Sequence, residues 1–210
     1  TYSWDSTAAS QTTDTAFNLP AGTYSITVTD SKSCSEIATV TVLQPDILVI
    51  DTTFQDSVSC NGLFDGYAAI GNILGGNGGF TYSWDSTAGS QTTDTAINLA
   101  TGTYSITITD SKGCSEDTIV TVLQPDSLLI VATSQDSVSC NGLTDGSATA
   151  QATGGNGNYT YTWDLFAQGQ VSDTATNLGV GTYSVTISDF KGCSEITTVT
   201  VQQPDILVID

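Results

Sequence analysis

Gly102-Thr-Tyr-Ser-Ile-Thr-Ile-Thr-Asp-Ser-Lys-Gly-Cys114 decides the fold. Tyr104, Ile106 and Ile108 alternate with Ser and Thr, the two-residue period of a strand with one wet face. Asp110-Ser111-Lys112-Gly113 supplies turn chemistry, and a second alternating run follows at Thr118–Leu123. The segment reads as a β-hairpin whose turn ends in a cysteine. It recurs at Gly22–Cys34 and Gly181–Cys193.

Three copies make this a repeat array. Trp4, Trp84 and Trp163 recur at intervals of 80 and 79 residues (84 − 4 and 163 − 84). About 80 residues suffice for a small sandwich with a modest core. The frame divides the chain into 1–45, the back part of a repeat; 46–125 and 126–204, two complete repeats; and 205–210, the first strand of another. The expected class is all-β: tandem immunoglobulin-like antiparallel sandwiches forming an elongated rod. The core residues are Leu48, Ile50, Trp84, Tyr104, Ile106, Ile108, Val120 and Val122. Their counterparts are Leu128, Ile130, Trp163, Tyr183, Val185, Ile187, Val199 and Val201. Asp65 to Gly75 is one position longer than Asp145 to Gly154, which requires a bulge or longer turn near Gly71–Leu74.

The first repeat starts partway through and the last stops after one strand. Either the array continues at both ends, or a neighbouring chain completes the sheet by strand addition, as in pilus-like polymers.

Composition excludes several functions. The net charge is −19 and the cations are Lys32, Lys112 and Lys191. Such a chain cannot neutralise phosphates, so nucleic acid and anionic membrane surfaces are not expected partners. No apolar run approaches the roughly 20 residues that span a bilayer. With no histidine and no base beside any Ser or Thr, no catalytic set is found. Carboxylates such as Asp85 and Asp164 are copied from repeat to repeat, which marks them as structural. The reading is not an enzyme.

Five cysteines resolve in the repeat frame. Each complete repeat owns two, which predicts disulfides Cys60–Cys114 and Cys140–Cys193, with the partner of Cys34 outside the sequence. Each bond would stabilise its repeat by about 4 kcal/mol. Disulfides imply an extracytoplasmic setting. Zinc is disfavoured without His or Cys-x-x-Cys. Calcium is the metal candidate, through Asp65-Gly66, Asp145-Gly146 and the junction residues Asp46, Asp51, Asp126 and Asp205. No Asp-x-Asp-x-Asp-Gly loop supports it.

Asp followed by Ser or Thr and then a small or apolar residue recurs along the chain. It singles out Ser6, Thr15, Thr52, Ser57, Ser86, Thr95, Thr118, Ser127, Ser137 and Thr174. The triplet resembles the O-glycan acceptor of Bacteroidetes secreted proteins. Turns at strand ends explain the same residues without sugar.

Cys-Asn-Gly-(x)2-Asp-Gly, Gly-Gly-Asn-Gly, Tyr-(x)-Trp, Asn-Leu, the Gly-Thr-Tyr hairpin and Gln-Pro stand in one order in each complete repeat. This unit resembles the SprB-type repeat of long cell-surface adhesins in gliding Bacteroidetes. It is more distantly similar to PKD-type immunoglobulin-like modules. The resemblance implies secretion, often by the type IX route, display at the cell surface, and a role in adhesion or gliding. The expected partners are neighbouring repeats of the chain or filament and a surface, glycan or protein ligand. Short Gln-Pro-Asp junctions leave little hinge freedom. The competing reading is a carbohydrate- or protein-binding module using loops Asp85–Thr93 and Leu165–Val171. The second of these loops, with Phe166 and Gln168–Gln170, departs from the Thr/Ser character of the first.

Overall fold

A computed structural model describes residues 1–208. Of the strand expected at 205–210, residues 209–210 lie outside the described residues, and 205–208 form no strand.

The first segment holds β1 (Tyr2–Trp4), β2 (Gly22–Thr29) and β3 (Ser35–Val42) in one antiparallel sheet. The second holds β4 (Val49–Ile50), β5 (Thr53–Asp56), β6 (Gly66–Ile70), β7 (Ile73–Leu74), β8 (Thr81–Trp84), β9 (Thr95–Leu99), β10 (Gly102–Thr109) and β11 (Ser115–Val122). Its sheets run β11-β10-β8 and β5-β6-β9, with β4 paired to β7. The third holds β12 (Asp126–Asp136), β13 (Gly146–Gly155), β14 (Thr160–Trp163), β15 (Thr174–Leu178), β16 (Gly181–Ser188) and β17 (Ser194–Val201), arranged as β12-β13-β15 against β14-β16-β17. The fold is all-β, and each complete repeat is an immunoglobulin-like sandwich.

The deciding hairpin forms as expected. Gly102 pairs with Val122 at one end, and Thr109 pairs with Ser115 at the other. Asp110 closes the turn, its carboxylate accepting from the backbone N–H groups of Lys112 and Cys114.

Alternation along the strands builds one core per repeat. Trp84, Tyr104, Ile106, Ile108, Val120 and Val122 are buried together, and so are their third-repeat counterparts. Leu48 and Leu128 are buried as expected, whereas Ile50 and Ile130 are only partly so. In the first segment Val40 is 48 % exposed, where Val120 and Val199 are 3 % and 5 % exposed. A three-stranded sheet has no facing sheet to cover that position.

The extra residue of the second repeat is absorbed by a break. The Asp51 and Thr52 N–H groups both reach the Asn72 carbonyl, and Gly71-Asn72 separates β6 from β7. In the third repeat β13 is continuous, and β12 carries the irregularity between Ile130 and Ala132 instead.

Each repeat also contains a tyrosine corner. The hydroxyls of Tyr24, Tyr104 and Tyr183 donate to the carbonyls of Pro20, Ala100 and Gly179. Each bond ties the loop before the hairpin to the hairpin's first strand. Tyr183→Phe leaves a part-buried carbonyl unpaired. It is expected to lower stability by about 1–2 kcal/mol in a urea titration, with the m-value unchanged.

Candidate functional site

The two cysteines of one repeat lie at opposite ends of its sandwich. The Cys60 loop packs at the exit end: the Val58 N–H donates to the Leu123 carbonyl, just beyond β11. Cys114 sits at the other end of β11, before its first residue. Eight strand residues correspond to about 25 Å at roughly 3.3 Å each.

The expected Cys60–Cys114 and Cys140–Cys193 bonds are therefore not formed. A disulfide needs Cα atoms within about 7 Å, which this separation forbids. Cys60 is instead bonded to Cys193 of the following repeat, with Cα atoms 5.6 Å apart and a sequence separation of 133. Cys34, Cys114 and Cys140 are free and exposed.

This bond belongs to a built joint. On the near side, the Cys60-Asn61-Gly62 loop grips its own repeat's exit. Asn61 Nδ2 donates to the Pro125 carbonyl at 3.0 Å, and the Gly62 N–H donates to Gln124 Oε1 at 3.2 Å. Asn141 and Gly142 hold Pro204 and Gln203 in the same way. The Gln-Pro junction is thus clamped by a loop from across the sandwich.

On the far side stands Asp189, which is 5 % exposed. It accepts from the Lys191 and Cys193 N–H groups and from both the N–H and Nδ2 of Asn156. Asn156 Nδ2 also reaches across to the Ser59 carbonyl at 2.8 Å. One amide therefore links turn, hairpin and preceding repeat. Gly155, at φ +58°, leaves the space: a Cβ there would stand 2.6 Å from Asp189 Oδ2. Gly-Gly-Asn-Gly thus serves to bring Asn156 onto this carboxylate.

Other aspartates act as local hubs. Asp85 caps the 3-10 turn Ser86–Ala88 and accepts from the Ser105 N–H and hydroxyl. Asp5 and Asp164 repeat this role. Asp65 accepts from the Ser59 N–H and hydroxyl.

Hydrogen bonding holds these carboxyls below the usual carboxylate range. The leading cause is the Thr7 hydroxyl at Asp5, the Thr87 hydroxyl at Asp85 and the Asn77 amide at Asp110. At Asp65 and Asp145 it is the side chains of Ser59 and Ser139. At Asp164 and Asp189 burial is the largest single influence and pushes upward, but the combined hydrogen bonds outweigh it.

A depressed folded-state pKa gives stability that is full above the unfolded value, near 3.8, and lost as pH falls toward the folded value. The melting temperature is therefore expected to hold down to about pH 5 and to drop steadily between about pH 4 and pH 2. Calorimetry at physiological ionic strength checks this, since salt screens the general repulsion among surface carboxylates.

Ser6, Thr15, Thr52, Ser57, Ser86, Ser127 and Ser137 are exposed, while Thr95, Thr118 and Thr174 are half-buried. The hydroxyls of Thr15 and Thr95 donate to Asp14 and Asp94, and Thr174 pairs with Thr149. Among the described residues no three of His, Cys, Asp and Glu converge in a metal-holding group. Trp84 and Trp163 are buried, their Nε1 donating to the carbonyls of Thr93 and Ser172.

The geometry defines a class of protein: immunoglobulin-like sandwich modules in tandem, with a disulfide between consecutive modules. Residues 132–165 of the third repeat match the SprB repeat family. No curated protein matches the chain. Among solved structures, it is similar to extracellular domains 3–5 of Drosophila OTK, with 16 % identity over 88 % of this chain and 72 % of that one, at a TM-score of 0.35. It is also similar to a C-terminal 282-residue fragment of intimin, solved with the intimin-binding domain of the translocated intimin receptor. There the identity is 15 % over 86 % of this chain and 57 % of that one, at a TM-score of 0.34.

Proposed function

We propose that the chain is a stalk segment of an extracellular cell-surface filament or adhesin. Its repeats transmit force and hold a binding surface away from the cell, without catalysis. The observation that carries this reading is the Cys60–Cys193 bond, together with the Asn61 and Gly62 clamp on Gln124-Pro125. Consecutive repeats joined by a covalent bond and a clamped junction cannot swing freely, and pulling loads the crosslink as well as the peptide.

Surface area supports separate repeats over one merged globule. A single compact chain of 21.7 kDa is expected to expose about 9,200 Å². This one exposes 12844 Å². Sugar on exposed sites such as Ser6, Ser57, Ser86 and Ser137 would add solubility to a chain that is 12 % charged.

Small-angle scattering tests the stalk. A compact chain of 210 residues has a radius of gyration of about 17 Å. The stalk reading expects a value well above that, and a value near 17 Å would overturn it. Intact mass separately tests for sugar through hexose-sized increments.

A second reading, recognition by the loop after β14, rests on Leu165 and Phe166, which are 90 % and 84 % exposed. Ser86 and Thr87 stand there in the second repeat. Glycan-array binding that disappears in Phe166→Thr would favour it; an array without signal would count against it.

A further inference from the structure

We infer that Cys114 and Cys140 are the two unjoined halves of this same inter-repeat bond. Cys114 takes the loop cysteine of a preceding repeat of this kind, and Cys140 gives itself to the turn cysteine of a following one. The inference rests on the tandem reading and adds a rule of connectivity: each loop cysteine bonds to the next repeat's turn, never to its own.

The occupied joint supplies the template. Cys193 sits on Asp189, beside Asn156 and the wall formed by Leu128, Ser194 and Glu195, with the Cys60 loop seated against it. The surface around Cys114 is built the same way. Asp110 accepts from the Cys114 N–H and from Asn77 Nδ2 at 2.7 Å, and Leu48, Ser115 and Glu116 form the wall. One difference stands out. Asn156 Nδ2 spans to Ser59 of the preceding repeat, whereas Asn77 Nδ2 has beyond Asp110 only the Cys114 sulfur, at 3.9 Å. The bond to Ser59 has no counterpart at Asn77 among the described residues.

The other half is equally complete. Cys140-Asn141-Gly142 is clamped on Gln203-Pro204 as Cys60-Asn61-Gly62 is on Gln124-Pro125. Within residues 1–210 no loop cysteine precedes Cys60 and no turn cysteine follows Cys193. Cys34, with Asp30 bound to its N–H, is a further turn half.

Bond formation removes two protons and two electrons from two thiols. A disulfide oxidant accepts them: one thiolate attacks it to give a mixed disulfide, the second displaces the oxidant's remaining sulfur, and two oxidant thiols leave.

The test extends the full chain with its own sequence. Residues 205–210 repeat residues 46–51 letter for letter. A copy of 46–210 can therefore follow Pro204 with no new junction sequence. The extended chain is refolded with oxidised glutathione, its thiols are counted, and its disulfide peptides are mapped. The appended copy brings four cysteines. The expected result is a peptide joining Cys140 to the appended copy's Cys114, and a thiol count unchanged from the present three. Two additional free thiols, or Cys140 joined to a turn cysteine of its own repeat, would overturn the inference. Changing the appended copy's Cys114→Ser should return Cys140 to the free state, and a Cys140 that remains bonded would also overturn it. Scattering on the same samples separates the two ideas. In-line growth with Cys140 reduced defeats the inference alone, while a compact particle defeats the stalk reading whatever the thiols do.

Discussion

Cys60→Ser and Cys193→Ser will each lower the melting temperature of the oxidised chain by about 10–20 °C, and the double variant will lose no more than either single one. The bond joins cysteines with a sequence separation of 133. In the chain-entropy picture, removing it costs about 5 kcal/mol. Spread over two repeats, each kcal/mol corresponds to about 2–4 °C. Non-additivity follows because both changes remove one crosslink. Cys114→Ser and Cys140→Ser are the controls. Both thiols are exposed and free, so each change should shift the transition by no more than about 2 °C. If Cys114→Ser matched Cys60→Ser instead, the crosslink would lie within the repeat. Reducing agent should reproduce the loss in the unaltered chain and leave Cys60→Ser unmoved.

Trp84→Ala will unfold the second repeat under conditions where the unaltered chain is folded. The side chain is 2 % exposed, packs among Ala68, Ala96, Ile106 and Val120, and uses its ring N–H on the Thr93 carbonyl. A buried Trp→Ala change costs about 3–5 kcal/mol, a large part of what a domain of about 80 residues has to lose. Denaturant unfolding should therefore show two transitions, with the third repeat, built on Trp163, surviving to the higher concentration. A single unshifted transition would mean that Trp84 is not core. Trp163→Ala should exchange the behaviour of the two repeats.

The hairpin and the large core residues were legible because alternation at period two states which face is buried. Tyr104, Ile106, Ile108, Val120 and Val122 all read correctly. Apart from Leu48 and Leu128, the buried residues of the facing sheet were not. Its inward positions are Ala68, Ala96, Ala148 and Ala175, which are 0 % exposed. Alanine carries too weak a hydrophobic signal to stand out among Thr and Ser. Val58 and Val138, buried beside the cysteine loops, were hidden in segments rich in polar and turn residues.

Cysteine pairing failed for a different reason. Equal spacing in each repeat fixes that loop and turn cysteines alternate, but that alternation is equally compatible with pairing within a repeat and with pairing to the next one. Strand direction separates them. β11 runs from the Cys114 turn to the exit, the opening strand of the next repeat continues the same way, and its loop cysteine comes out at the far end. Following that direction through Gln124-Pro125-Asp126 would have placed Cys60 beside Cys193. The Asn-Gly that follows each loop cysteine is the clamp on Gln-Pro.

Peptide mapping of the unreduced chain tests the covalent joint most directly. Cleavage after Asp and Glu isolates Cys60 in Ser57–Asp65 and Cys193 in Phe190–Glu195, with Cys114 and Cys140 in peptides of their own. The account predicts one crosslinked species, Ser57–Asp65 joined to Phe190–Glu195, with Cys34, Cys114 and Cys140 recovered as alkylated thiols. Recovery of Cys60 joined to Cys114, or of Cys140 joined to Cys193, would contradict it.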